Sequence, residues 1–553
     1  MASFIRATQR GDVSLDAGSK TGAVSGAASG GTAPAPPSRG VSPLVAAADF
    51  RDSPTMIAIG VDCGTSGLKA VLVEAGEGGL IAAATRAYRP DHPRPLWSEQ
   101  DPEVWVAAMF EALGELRSAA PAAFAVAEAI GFSGQMHGAV LLGRDGKPLR
   151  PAILHNDTRA HREAAELWER HRPLADVVGV KPMAGFVAPK LVWLARHEPT
   201  VFAAIAHIIQ PKDYLRFRLT GEIASDMSDA AGTWWLDEQA RAWSAAALAA
   251  SGVDPARAPR LVEGSEAVGS LAPAIAEALG LPKRTVVAAG GGDAAVGAIG
   301  IGAARPGDAF ISLGTASQMI VVSDVYRAAP ERLVHSFAHA LPRRWYRMAA
   351  MLNGAAALAF VARLVGADAG TLEREAAEGY RGPAETTFLP YLSGERTPHD
   401  DPHARGVVFG LSEAATRVDL TRAAMEGIAF TLADARDCLA ATGDAPERFG
   451  LIGGGARSAL WARMIAAAIG APIVRYRGGE VGPAFGAARL AILAATGAAP
   501  ETVCSAPPIA DVTEAEPQLA AAFAAARERF VRLYRVLRPE FAAAADQRAA
   551  DSN

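Results

Sequence analysis

Short apolar runs and glycine turns alternate along the chain from Met56 onward. IAIGVD (57–62) and LKAVLVE (68–74) have strand length and β-branched content. The five residues Cys63–Gly67 between them carry turn chemistry, so the stretch predicts a β-hairpin, with no long helical pattern directly behind it. DAFISLGTASQMIVV (308–322) repeats the arrangement half a chain later: strand, Gly-Thr turn, strand. Two such hairpins suggest two domains of like build, each offering backbone N–H groups to one ligand. Between and after them, helix and strand signals alternate. DPEVWVAAMFEALGEL predicts a helix with Asp101 as N-cap and Pro102 at its first position. TVVAAGGGDAAVGAIGIGAA and RFGLIGGGARSALWARMIAAAIG each read as buried strand, glycine turn and helix. A last helix, roughly 517–537, would put Leu519, Phe523, Phe530, Tyr534 and Leu537 on one face.

This places the chain in the α/β class with two domains, 56–302 and 303–538, and a cleft between them. Residues 539–553 read as a C-terminal tail. Residues 1–55 contain the low-complexity run GAVSGAASGGTAPAPPSRG, which cannot bury enough apolar area to fold, and they read as a disordered tail or a start-site artefact before Met56. The length of 553 residues supports two domains. A net charge of −5 argues against a nucleic-acid surface, and no run of strongly apolar residues is long enough to span a membrane. Three scattered cysteines fit a reducing cytoplasm and make a zinc site an unsuitable reading. Nothing in the pattern fixes oligomeric state; a homodimer is compatible with it.

The candidate chemistry sits on the turns. There is no Walker G-x-x-x-x-G-K-[ST] sequence. Asp62 ends the first strand, where an anion would be repelled unless a cation intervened. A hydrated Mg²⁺ held by Asp62 against a nucleoside triphosphate answers that, with Gly64, Thr65 and Ser66 as donors and Lys69 as added charge. The bland alternative is a solvated aspartate in a turn. Asp293, in AAGGGDAAVG, is either a helix N-cap or a base that accepts a hydroxyl proton. Gly453, Gly454, Gly455 and Ala456 offer a bare edge that suits adenine, or form only a tight strand-to-helix turn. Gln135, Met136 and His137 in GQMHG suit a polyhydroxylated ligand, although a core histidine would look the same. His155, Asn156, Asp157 and Arg159 form a dense polar cluster that could equally be a self-bonded loop.

Taken together, PLWSEQDPEVW, GQMHGAVLL, GFVAPKLVWLARHEP, PKDYLRFRLTGEIASDMSDAAGTWWLD, GGGDAA, VHSFAHALP, FLPYLSGERTPH, LIGGGARSALW and GGEVGPAFGAARLA resemble the FGGY-type carbohydrate kinases, the family of glycerol and gluconate kinases. The resemblance implies two ribonuclease-H-like domains of the actin and hexokinase type, closing over ATP and sugar. It implies Asp62 as the metal-associated aspartate, Asp293 as proton acceptor and further metal neighbour, and Gly314-Thr315 as the second phosphate hairpin. Met136, His137, Gln135, Asp157 and His155 would line the sugar site. Gly453–Ala456 would lie along the adenosine. The implied reaction is Mg-ATP-dependent phosphorylation of a ketopentose, first of all D-xylulose at its terminal hydroxyl. Another ketose or a sugar alcohol is the alternative substrate, and a nucleotide-gated sensor or chaperone-like ATPase the alternative of another class. This chain departs from the family's common pattern in four places: His155 for tryptophan, Ala294 for asparagine, Ala316-Ser317 for Ser-Gly, and Val187 for threonine.

Overall fold

The computed structural model describes residues 56–76, 79–477 and 482–551. The expected tail over 1–55 lies outside the described residues. Two seven-stranded mixed sheets organise the molecule. The first contains β1 (Ile57–Cys63), β2 (Gly67–Glu74), β3 (Leu80–Ala87), β4 (Ala129–Gly134), β5 (Ala267–Ser270), β6 (Val286–Ala288) and the short β7 (Gly291–Gly292). Its order is β5-β6-β4-β1-β2-β3, with β7 pairing the end of β4. The second contains β8 (Ala309–Leu313), β9 (Ser317–Ser323), β10 (Val334–Ala338), β11 (Trp345–Met351), β12 (Phe449–Ile452), β13 (Ile473–Tyr476) and β14 (Ile509–Thr513), ordered β10-β11-β9-β8-β12-β13-β14.

Six strands of one sheet match six of the other. Across β3-β2-β1-β4-β6-β5 the pairings run antiparallel, antiparallel, parallel, parallel, antiparallel. Across β11-β9-β8-β12-β13-β14 they run in the same sequence. Both Gly-Thr hairpins are therefore the central antiparallel pair of their sheet, and each is followed by a parallel neighbour.

Side-chain alternation along β1 explains what covers it. Ile57, Ile59 and Val61 face a core that includes Trp105, Met109 and Leu113 of helix α1 (Pro102–Ala119). Asp101 caps that helix as the sequence predicts, accepting the Glu103 N–H at 3.0 Å, with Pro102 in its first turn. Helices α2 (Val187–His197) and α3 (Pro211–Thr220) complete the outer wall of this half. The opposite face of β1 and β4 carries the small residues Ala58, Gly60, Ala129 and Gly131, with Asp62 and Ser133 at its far end.

Onto that face packs a helix from the far end of the chain. After α4 (Asp293–Gly300), α5 (Ala356–Val365), α6 (Arg417–Ala440) and α7 (Ala459–Ile469) comes α8 (Gly482–Thr496). It lies against β1, β4 and α4, burying Ala484, Phe485, Ala488 and Ala491 on the first sheet. A Cβ on Gly60 or Gly131 would drive into the carbonyl oxygen of Ala484 or Ala487, so glycine is required at both places. Leu490 and Leu493 of the same helix join Ala298 and Ile299 of α4, and Phe310, Ile320 and Val322 of the second sheet, in one core. The pair α4–α8 is thus clamped between the sheets. A boundary at 302/303 divides the chain but not the packing, because the second segment returns a helix to the first sheet.

The last helix, α9 (Pro517–Asp551), continues well beyond residue 537 and takes in Pro539 and most of the stretch expected as a tail. Proline removes one main-chain bond from the helix, but Phe541, buried in the second core, holds the chain on course.

Candidate active site

Asp62 and Asp293 meet through strand register. Asp62 pairs with Ser133 of β4, and Ser133 pairs on its other side with Gly291 of β7, two residues before Asp293. Adjacent strands lie about 4.8 Å apart, so the two strand ends are separated by roughly 10 Å of backbone with only β4 between them. The carboxylates feel one another: burial and then the Asp62 charge push the pKa of Asp293 up to about 7. Asp62 itself is pushed up to about 6 by burial, tempered by the nearby Ser133 hydroxyl and the Lys69 ammonium that faces it across the hairpin. Neither Asp62 Oδ1 nor Ser133 Oγ has a hydrogen-bond partner among the described residues, although both atoms are buried. Asp293 keeps an accessible side chain within this recess and is the first residue of α4, its Oδ1 accepting the Ala294 N–H at 2.8 Å. The helix N-cap is Gly292. The first turn of a helix is a favourable place for the ionised carboxylate, which partly offsets repulsion by Asp62.

Residues 135–137 leave β4 beside this pair. The Gln135 N–H donates to the Cys63 carbonyl at 2.9 Å. The Gln135 Oε1 lies 3.0 Å from Thr65 Oγ1 and 3.3 Å from His155 Nδ1, so one side chain bridges the first hairpin and the loop at 155. Met136 is buried against Gly292: a Cβ there would stand 2.6 Å from Met136 Cγ. From the second half of the chain, the Tyr346 hydroxyl approaches Met136 Sδ at 3.8 Å.

His137 adopts a left-handed backbone, φ 67°, which is rare outside glycine and is held here by its surroundings. Its N–H donates to Gln210 Oε1 at 2.7 Å, and its carbonyl accepts from Lys190 Nζ at 2.7 Å. Its ring meets Phe186 edge-on at 4.4 Å. Nδ1 lies 2.9 Å from the Gly232 carbonyl, which can only accept, so the proton belongs on Nδ1 and Nε2 is an acceptor. Burial lowers the His137 pKa to about 3, which keeps the imidazole neutral. His155 is lowered to about 4, by burial and then by Lys190 and Arg396. The sequence reading passed over Lys190 and Gln210. Lys190 is fully buried, also holds the Ile153 carbonyl at 3.1 Å, and has its pKa lowered by burial to about 7. A lone lysine within the apolar run AGFVAPKLVWLA was the available signal.

Asp157, expected along the sugar site, is committed to its own loop. It has no exposed surface; its oxygens accept the Ser98 N–H at 2.6 Å and the Arg159 guanidinium, while Arg159 lies 3.4 Å above the Trp97 ring. It anchors the loop that presents His155. Lys212 with Asp213, Asp226 and Asp229 forms another buried cluster, in which the ammonium reaches all three carboxylates, at 2.5, 2.7 and 3.2 Å, and Arg216 reaches Asp213 at 3.1 Å.

The remaining turns are built alike. Gly64 N–H closes the first hairpin on the Gly67 carbonyl at 3.0 Å, the Tyr88 hydroxyl donates to the Gly64 carbonyl at 2.8 Å, and Ser66 is exposed at the tip. In the second, Gly314 N–H closes on Ala316 O at 3.0 Å, Thr315 and Ala316 are exposed, and Ser317 turns inward to the Asn353 carbonyl at 2.6 Å. The Ala355 N–H caps this turn on Gly314 O at 2.7 Å. Gly453 takes φ 85° beside Leu313, because β8 and β12 run parallel up to Ser312 and Ile452. The second hairpin and the Gly453–Ala456 edge therefore leave the same end of the second sheet, with Gly453 and Gly454 exposed.

Comparison with known proteins agrees with this fold. The N-terminal domain of the FGGY family of carbohydrate kinases matches residues 57–300, and its C-terminal domain residues 309–495. The xylulose kinase of Escherichia coli (strain K12) is 45% identical over 489 residues, covering 87% of this chain and 99% of that protein. That of Bacillus subtilis (strain 168) is 36% identical over 438 residues, 78% of this chain and 87% of its own. Among solved structures, a "xyloylose kinase" from Brucella ovis superposes with TM-score 0.85 at 45% identity, covering 87% of this chain and 99% of its own. The xylulose kinase of Rhodospirillum rubrum superposes with TM-score 0.81 at 29% identity, covering 88% and 99%.

Proposed function

This chain belongs to the FGGY family of carbohydrate kinases, and we propose that it transfers the γ-phosphoryl group of ATP to the terminal hydroxyl of D-xylulose. The observation that carries the chemistry is the meeting of Asp62 and Asp293 across β4. The two relatives named xylulose kinase, matched over 87–99% of their length, carry the choice of sugar.

Phosphoryl transfer asks a protein for positioned oxygens, charge stabilisation and a base near the nucleophile. Asp293, raised to about 7, is suited to accept the hydroxyl proton near neutrality, which leaves the sugar oxygen free to attack phosphorus in line. The neutral His137 offers Nε2 to a sugar hydroxyl, and Met136 gives that hydroxyl's carbon chain an apolar wall. The N–H groups and hydroxyls of Gly64–Ser66 and Gly314-Thr315 are available to phosphate oxygens, and the Gly453–Ala456 edge to adenine. Two carboxylates raised by burial, Asp293 further by the Asp62 charge, with Asp62 Oδ1 buried and unpartnered, fit a hydrated Mg²⁺. When bound, the ion would neutralise phosphate charge. Three free cysteines fit reaction in the cytoplasm.

A coupled assay of ADP release over a panel of ketopentoses, ketohexoses and pentitols, with the product identified by mass spectrometry, tests this reading. D-Xylulose should give the highest kcat/KM and a 5-phosphate. A higher value for another sugar would move the assignment within the family, and His155 in place of tryptophan makes another ketose the second reading. ADP release independent of every sugar would overturn it.

A further inference from the structure

The buried charge cluster around Lys212 takes no part in the transfer chemistry, yet it holds the turn that carries Asp293. Residues 289–292 run from β6 to the start of α4 and include β7. Gly292, the N-cap, has no side chain with which to fix itself. Two groups tied into the cluster reach this turn. The Arg216 guanidinium, which pairs with Asp213 at 3.1 Å, donates to the Ala289 carbonyl at 2.7 Å. At the other end, the Gly292 N–H donates to Ser228 Oγ at 3.1 Å.

Ser228 stands in a short helix, Met227–Ala231, and has no exposed surface. Its hydroxyl lies 2.5 Å from Asp226 Oδ2, which also accepts the Ser228 N–H at 2.8 Å. Asp226 in turn pairs with Lys212 Nζ at 2.7 Å. A carboxylate paired with an ammonium only accepts, so the hydroxyl proton points at Asp226 and an Oγ lone pair is left for the Gly292 N–H. The contacts leave no room for a side chain on the turn. A Cβ on Gly291 would stand 2.7 Å from Ser228 Oγ, and one on Gly292 2.6 Å from Met136 Cγ. The same short helix also supports the sugar side. The Asp229 carbonyl accepts from Gln210 Nε2, whose Oε1 takes the His137 N–H, and the Gly232 carbonyl just beyond the helix faces His137 Nδ1.

We propose that Ser228 is a positioning residue for phosphoryl transfer: by holding the Gly292 N–H against the ion-paired Asp226, it fixes the aim of the Asp293 carboxylate at the attacking hydroxyl. This rests on the reading of Asp293 as the base. Misplacing a reacting group by about 1 Å can cost on the order of 10²-fold in rate. Substrate binding, made by other groups, survives such an error. Because one helix serves both Asp293 and His137, a general loosening would raise the KM for sugar, whereas lost aim falls on kcat.

The test is a double-mutant cycle of Ser228→Ala with Asp293→Asn, read by steady-state and single-turnover phosphorylation of the sugar preferred in the panel above. Calorimetric binding of MgATP reports folding. Ser228→Ala should lower kcat by about 10- to 100-fold and leave the KM for sugar within about threefold. In the Asp293→Asn background the same substitution should cost less than about threefold, because no base is left to aim. Ser228→Cys, of similar size but a poorer acceptor, should fall between wild type and Ser228→Ala. If Ser228→Ala does not bind MgATP, the cycle run with Ser228→Cys decides alone. Unchanged kcat, equal losses in both backgrounds, or a KM that rises as far as kcat falls overturns the inference and leaves Asp293 as the base. Wild-type turnover in Asp293→Asn, or a chain that phosphorylates no sugar, overturns both.

Discussion

Asp62 and Asp293 stand on either side of Ser133 at the ends of neighbouring strands, and the charge of the first raises the second. Far apart in the chain, they share one recess because β4 pairs with both β1 and β7. Their repulsion is a cost of folding that the proposed chemistry uses.

Replacing the base should separate binding from transfer. Asp293→Asn is expected to lower kcat by about 10²–10⁴-fold, the usual range for a general base, and to leave MgATP binding within a few-fold. Single-turnover measurements with D-xylulose, alongside calorimetry with a non-hydrolysable ATP analogue, check both. Wild-type turnover in the variant would remove Asp293 from the mechanism.

The same carboxylate predicts an acid limb. Asp293 must be ionised to accept a proton, so kcat/KM for the sugar should rise with pH through about 7 and level off above it. The limb is read from initial rates between pH 5 and 9. A profile flat across pH 6–8 would contradict the role.

Stability should carry the opposite sign. A carboxyl whose pKa is raised in the folded state contributes stability that is full below its unfolded value, near 3.8, and is lost as pH rises through about 6 to 7 for this pair. Asp293→Asn removes one partner of the repulsion. It should raise Tm by about 1–3 °C at pH 8, with the gain shrinking at pH 5. Scanning calorimetry of both proteins at the two pH values decides it.

Lys190 should act through His137. With the ammonium gone, Lys190→Met leaves the His137 carbonyl buried without its donor, while the Ile153 carbonyl keeps only the Ala139 N–H. Sugar KM should rise roughly tenfold or more with a smaller change in kcat, and the KM for ATP should hold. Equal changes in both KM values would point to general loosening of the fold.

The packing of α8 makes Gly131 a sharp test of the fold. Its added Cβ meets main-chain atoms of Ala487, which cannot rotate away. Gly131→Ala should cost about 1–3 kcal/mol or more in a urea titration, and a neutral result would mean that α8 rides higher on the sheet.

Much of this was written locally. The hairpins at 64–65 and 314–315, the cap at Asp101, the turn before Asp293 and the glycine edge at 453–456 depend on residues a few positions apart. Such short-range chemistry is visible in one dimension. The family pattern added the roles of Met136 and His137 as expectations. What stayed hidden depends on partners far along the chain. Asp157 looks like a free ligand until Ser98 and Arg159 occupy its oxygens. Lys190 and Gln210 look like ordinary helix-region residues until His137 is found hanging from both. Pro539 reads as a helix end until Phe541 is seen in the core. The sheet that α8 covers was decided by small residues at 58, 60, 129 and 131 offering a surface on which a backbone can lie close. The sequence by itself determined the turns and the alternation that builds each sheet, because these are set by neighbours in the chain. Only the tertiary structure decided which helix crosses between the sheets and which buried charges are already satisfied, because close packing and charge pairing are settled between segments hundreds of residues apart.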